Sequence, residues 1–254
     1  MEFKNPTEVL KKIFHHSRLD TVVPGTLTVS CFANFFPICY MNDNNILEGL
    51  DIDIMKEFAR RCMLNIKFII KPSFNNIWLD PVRNVSDVSV GGIGMSASRT
   101  RANTEWTIPY FYVKRTLIYN RADPVVNFPA DITRKIVGTK GSTGWLDAKI
   151  RLGSKSKYLM EGKSDEQDIK NLLNGKIQGI IRGSFVSSSI LKKFPQLGMT
   201  TPWEIIPELT SSNGEIFAYP CNVRSRIGIL LSVFLTEEIM NLDLLHLVQK
   251  YNLI

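Results

Sequence analysis

The run from Ser89 to Tyr112 constrains this chain more than any other. An apolar strand reaching Val90 passes into Gly91 and Gly92, then Ile93, Gly94, Met95, Ser96, Ala97, Ser98 and Arg99, and on to Trp106, Pro109, Tyr110, Phe111 and Tyr112. Glycines permit positive φ and leave backbone amides open to a ligand. The Ser96 hydroxyl and the Arg99 fork, three residues apart, complete a set of donors suited to a carboxylate or phosphate. Read locally, the alternative is that Arg99 caps a surface turn or pairs with Glu105.

The preceding sequence favours the binding edge. Leu27, Val29 and Cys31 alternate with Thr26, Thr28 and Ser30, the pattern of a strand. Phe35 and Phe36 follow in its loop. From Gly49, Ile54, Met55, Phe58, Ala59 and Cys62 form the apolar stripe of a helix, with Asp51 and Asp53 at its positive end. Ile66, Phe68 and Ile70 predict a second strand, Phe74–Asn84 a short helix, and Asp87–Gly91 a third strand. Such a rhythm predicts a parallel α/β sheet that binds ligands beyond the carboxyl ends of its strands.

A second unit is predicted after the strand Thr116–Asn120. Ile136 and Val137 lead into Gly138-Thr139-Lys140-Gly141-Ser142-Thr143-Gly144 and an amphipathic helix, an anion-friendly helix start or simply a capped helix. Ser164-Asp165-Glu166-Gln167 is a capping box. Ile177–Ile181 reads as a buried strand with Arg182 and Gly183 just past it, and Val186–Phe194 as a helix. Ile216–Tyr219 reads as a strand, and Ile227–Leu235 and Leu242–Tyr251 as helices. Val9, Leu10, Ile13 and Phe14 predict a short amphipathic helix over residues 7–18.

Composition removes several function classes. Of the 254 residues, 44% are hydrophobic and 22% charged, which excludes a disordered tail. The net charge of +7 comes from scattered basic residues, Arg115 and Arg121 among them, without a nucleic-acid module pattern. Cys31, Cys39, Cys62 and Cys221 form no Cys-x-x-Cys pair, so no metal site is expected; Cys31 and Cys62 read as core thiols, and one bridge involving Cys39 stays open. No apolar run is long enough to span a bilayer, and the first residues lack the apolar core of a signal peptide. That leaves two readings: a cytoplasmic or leaderless protein, or a mature periplasmic or extracellular chain with an added Met.

Several segments, in order, resemble the extracellular solute-binding proteins of family 3, the polar amino acid receptors of ABC importers. Gly49-Leu50-Asp51-Ile52-Asp53-Ile54 resembles their "GFDVDL" element. Ile93 through Arg99 with the following aromatics resembles "ITITxxR…F(S/T)xPY". Gly138–Thr143 resembles "GTxxGT", Gly175–Ile181 resembles "GKxDAVxxD", and Ile216–Tyr219 resembles "GIAVRK". The resemblance implies the periplasmic binding protein type 2 fold, two α/β lobes joined by a two-strand hinge. Lobe 1 would be residues 25–115 and 218–254, lobe 2 residues 120–213, the hinge near 116–121 and 213–218, and residues 1–24 an N-terminal extension. It implies a monomer that closes on a small solute in the inter-lobe cleft, with no cofactor and an ABC permease as partner. Arg99 would clamp a carboxylate, helped by Thr143, and Phe35 or Phe36, with Phe74, would stack on the ligand. Ser96, Ser142, Gly92 and Gly94 join them as ligand-binding candidates from the reading of the residues.

Two positions depart from the family pattern. Gly94 stands where members carry a hydroxyl, and Gly183 where they carry the carboxylate that pairs with the ligand ammonium. Glu215 is the substitute carboxylate this sequence offers; otherwise Arg99 and Arg182 together favour an anionic ligand. A weaker resemblance to cyclohexadienyl dehydratases rests on Gly91-Gly92-Ile93, and a prephenate or arogenate dehydratase would need Glu215 as its acid. A degenerate fold acting through protein partners is the third reading.

Overall fold

The computed structural model describes residues 19–210, 215–251 and 253; the predicted helix over 7–18 and the loop 211–214 lie outside them. The chain divides into two compact units. Among the described residues, unit 1 contains 19–93, Arg99–Tyr110 and Ala218–Tyr251; unit 2 contains Gly94–Ser98, 111–210, 215–217 and Leu253.

Unit 1 is built on a five-stranded sheet of β1 (Thr26–Cys31), β2 (Asn65–Ile70), β3 (Val88–Val90), β4 (Thr104–Trp106) and a strand from the far end of the chain, Pro220–Asn222, in the order β2, β1, β3, Pro220–Asn222, β4. β1 runs parallel to both β2 and β3, with Cys31 level with Val90, so the loops after β1 and β3 leave the same edge. Pro220–Asn222 runs antiparallel between β3 and β4. The alternation in β1 does not mark a wet face. Thr28 and Ser30 are as buried as Leu27 and Val29. A central parallel strand is covered on both faces, and carboxylates answer the hydroxyls: Thr28 donates to Asp87 at 2.5 Å and Ser30 to Asp80 at 2.8 Å. The apolar stripe of α1 (Leu50–Arg61) buries Ile54, Met55, Phe58 and Ala59. The helix expected at 74–84 shrinks to one 3₁₀ turn, Ile77–Leu79, entered through Asn76 in the left-handed region and followed closely by Pro81.

Unit 2 carries β5 (Phe111–Val113), β6 (Arg115–Asn120), β7 (Ile136–Gly138), β8 (Leu159–Glu161), β9 (Gly179–Gly183), β10 (Leu197–Met199) and β11 (Glu215–Phe217). Its main sheet has the order β8, β7, β9, β6, β10; β7 is parallel to β8 and β9, and β6 is antiparallel to β9 and β10. β5 and β11 form a separate two-stranded ladder. Helices α2 (Thr143–Leu152), α3 (Asp165–Leu173) and α4 (Ser184–Lys193) belong to this sheet. Ile136, Ala148, Leu152, Leu159 and Ile181 are buried in one cluster with Leu117.

Residues 116–120 belong to β6, which pairs along both its edges in the main sheet of unit 2. The single strand expected at 216–219 is two: β11 closes on β5, and the chain re-enters unit 1 as β12 (Pro220–Asn222). The open question of a bridge at Cys39 is answered by four free, buried thiols, with Cys39 hydrogen-bonded to Cys31. The tail helices form as expected: α5 (Ile227–Met240) and α6 (Asp243–Lys250).

Candidate functional site

The glycines after β3 serve the fold before they serve a ligand. Asp51, in the first turn of α1, is fully buried, and its Oδ2 accepts from the Gly91 and Gly92 amides at 2.8 and 3.0 Å. Its Oδ1 accepts from the Tyr110 and Tyr219 hydroxyls at 2.7 and 2.9 Å, and the two rings stack 4.4 Å apart. Burial pushes the Asp51 carboxyl up, and the four donors pull it back. The Gly92 amide expected to face a ligand is therefore committed to Asp51. Nothing in the spacing of Asp51, Tyr110 and Tyr219 announces this hub. Its sequence signal is an aspartate at the position before a buried helical stripe.

Arg99 is not on a surface turn. It is 3% exposed, and its guanidinium lies 4.5 Å from the centre of the Trp78 ring and 5.6 Å from that of Phe74. Burial lowers its pKa to about 10, still far above neutrality, so it keeps its charge. Phe74 packs with Trp78 and Phe32 in a cluster that includes Ile93, so its ring floors the arginine. Such a cation held on an aromatic floor has a fixed direction, which suits a carboxylate clamp. Phe35 begins the turn after β1 and Phe36 packs edge-on to Tyr40 at 4.8 Å.

In unit 2 the structure brings three predicted residues together. A Cβ added at Gly94 would stand 2.5 Å from Glu215 Oε1 and 2.9 Å from Thr143 Oγ1. Thr143 opens α2, whose N-cap is Ser142; the Ser142 hydroxyl accepts from the Trp145 amide at 3.0 Å, so it caps rather than reaches outward. Ser96 is buried, with its hydroxyl 3.1 Å from that of Ser98.

Two charges are placed differently from expectation. Arg182 does not join an anion site: its Nε donates to Asp165 at 3.0 Å, and Asp168 lies 3.6 Å away, both at the start of α3. Alternation along β9 sends Arg182 to the α3 face, opposite Ile181, which joins the apolar cluster with Ala148 of α2. Glu215 is in place but already engaged. It forms a buried ion pair with Arg115, which sequence reasoning passed over as one of the scattered basic residues. The missed signal is context: Arg115 opens a strand whose Thr116, Leu117 and Ile118 are fully buried on both faces, with buried Val113 just before it.

One family departure, Gly94, follows from that pair, since a Cβ there would strike Glu215. A Cβ at Gly144 would meet Arg115 Nε at 2.7 Å. At Gly183 an added Cβ would clash with Val113 Cγ1 at 2.8 Å and would stand at ordinary contact distance, 3.4 Å, from Arg115 Nη1. Gly94 makes room for the carboxylate and Gly144 for the guanidinium.

Among the described residues no cluster of histidine, cysteine and carboxylate side chains could hold a metal, and no helix is long and apolar enough to cross a membrane.

Comparison with known proteins agrees with this architecture. A probable histidine-binding protein of Neisseria gonorrhoeae is 24% identical over 197 residues, 75% of this chain and 70% of that one. ABC transporter arginine-binding protein 1 of Escherichia coli (strain K12) is 22% identical over 199 residues, 75% of this chain and 76% of its own. Among solved structures, an ancestral arginine-binding protein bound to arginine superposes with a TM-score of 0.77 at 19% identity, covering 89% of this chain and 98% of that one. The ancestral amino acid-binding protein AncCDT-1, a precursor of cyclohexadienyl dehydratase, gives 0.75 at 16%, covering 96% and 99%. At these identities the structural likeness carries the fold, that of the type 2 periplasmic binding proteins. Residues 27–194 match the family model itself, and this chain belongs to the bacterial extracellular solute-binding proteins, family 3.

Proposed function

We propose that this protein is a receptor that binds a small amino-acid-like or anionic solute and delivers it to an ABC-type importer, working on the outer face of the membrane. The observation that carries the reading is the meeting of Gly94 and Thr143, from two separate sequence motifs, with Glu215, the substitute carboxylate, at the start of α2. Arg99, charged and fixed on its aromatic floor in unit 1, is the carboxylate clamp.

The dehydratase reading is weaker. Its required acid is Glu215, and a carboxylate held in an ion pair with Arg115 accepts hydrogen bonds rather than giving up a proton.

A thermal-shift screen against amino acids, dicarboxylates, prephenate and phosphorylated metabolites tests the proposal. Relatives named for histidine and arginine binding make those two amino acids the first to try. A ligand that binds the folded state alone stabilises it by about 2.7 kcal/mol at a hundredfold excess over its Kd. The expected result is at least one hit that Arg99→Ala abolishes; no shift with any compound would overturn the receptor reading.

A further inference from the structure

The Arg115–Glu215 pair bears on what the solute can be. Glu215 is the carboxylate beside Thr143 and Gly94, and both it and Arg115 are more than nine-tenths buried. The other buried carboxylates of unit 2, among the described residues, also face arginines of that unit. Asp147 accepts from Arg151 Nε at 2.9 Å and from Trp203 Nε1 and the Ile206 amide, and Asp168 lies beside Arg182. Each is therefore spoken for by a cation built into the fold. A ligand ammonium seated at Thr143 would find Glu215 neutralised, with the Arg115 guanidinium directly behind it. Seating there would place two cations on one carboxylate or expel Arg115 from its slot. That slot is narrow, since a Cβ at Gly144 would stand 2.7 Å from Arg115 Nε, and a buried charge stripped of its partner is strongly destabilising.

We propose that Arg115 is the specificity-determining residue of this receptor: by occupying Glu215 it excludes an α-ammonium group, and the site takes carboxylates that lack one. The proposal rests on the receptor reading above and narrows its ligand class to 2-oxo, 2-hydroxy and dicarboxylic acids. The guanidinium acts as a resident substitute for the ligand amine. Two glycines, Gly94 and Gly144, share one cause under this reading, because a Cβ at either position would strike the pair.

The test compares probes that differ at one group. Titration calorimetry with the full chain would measure L-glutamate against 2-oxoglutarate, L-leucine against 4-methyl-2-oxopentanoate, and L-phenylalanine against phenylpyruvate. Wild type is expected to bind the oxo member of at least one pair tenfold or more tightly than its amino partner. Arg115→Met removes the charge at similar length, frees Glu215 and should invert that ranking; a purely structural role for Arg115 would weaken both members alike. Should that variant fail to fold, the double variant Arg115→Met/Glu215→Gln, which removes both charges of the pair, should bind the oxo member and show no gain for the amino one. Wild type binding the amino member of a pair as tightly as the oxo member, or more so, overturns the proposal and leaves the receptor reading standing. Wild type binding no member of any pair, nor any compound of the thermal-shift screen, overturns both.

Discussion

Asp51 shows how one side chain can hold a unit together while standing near a candidate site. Its carboxylate collects two tyrosine hydroxyls and two backbone amides in a place with no water to replace them. A hydrogen bond to a charged group is worth about 1.5–3 kcal/mol, and a stranded buried donor costs a comparable amount. Tyr219→Phe removes one donor and should lower the unfolding free energy by about 2 kcal/mol, measured by urea denaturation. Asp51→Ala strands all four donors and should cost more than twice as much. If Asp51→Ala matched Tyr219→Phe, the hub would be peripheral to stability. Arg115 is the same lesson with opposite sign. Its composition class, a basic residue on a basic chain, hides it, whereas its place between buried Val113 and Leu117 marks it as interior. A charge on a buried register is paired or it is not there.

At the scale of elements, helix starts and the rhythm of strands were legible, because capping and periodicity are local. The N-cap at Ser164 forms, its hydroxyl accepting from the Gln167 amide at 3.2 Å, while the Gln167 side chain donates to Asn171 at 3.1 Å; Ser164→Ala should cost about 1 kcal/mol. What was not legible is long-range. The turn after Asn76 carries one 3₁₀ turn where a helix was expected, and Arg182 points to α3 because of a strand alternation that only the finished sheet fixes. The candidate site divides in the same way: motifs found Gly94 and Thr143, and a missing family carboxylate pointed to Glu215, but the partner of Glu215 comes from a different strand. On α1, Arg60 and then Arg61 hold the Glu57 carboxyl down at about 2 from its ordinary 4.5. A depressed folded pKa contributes stability that is complete above 4.5 and lost as pH falls toward 2. The stability gap between wild type and Glu57→Gln should therefore stay level above that window and close within it. A gap that stayed level throughout would show that the exposed Arg60 contact contributes nothing in solution.

For the whole molecule, the decisive feature is that unit 1 joins segments far apart in sequence, 19–93 and Arg99–Tyr110 with Ala218–Tyr251, around the stretch that builds most of unit 2. β12 is an inner strand of the first sheet, paired with β3 on one side and β4 on the other, and it brings Tyr219 to Asp51 just before it. α5 follows it, with Leu231, Phe234 and Leu235 buried and Phe234 packed on Phe58 of α1 at 5.6 Å. Unit 2, by contrast, takes every strand of its main sheet from residues 115–199. Ending the chain after Phe217 should thus have an asymmetric result. It removes an inner strand, one donor to the Asp51 carboxylate and two helices from unit 1, while every strand of the unit 2 sheet remains. Hydrogen exchange should find the β1 and β3 amides unprotected and those of β7 and β9 still slow, because protection follows cooperative units rather than chain position. Retained protection in β1 would mean that its pairing with β2 and the packing of α1 suffice without the returning strand. Equal loss in both sheets would mean that unit 2 depends on unit 1 for its own stability, and the two would then unfold as one.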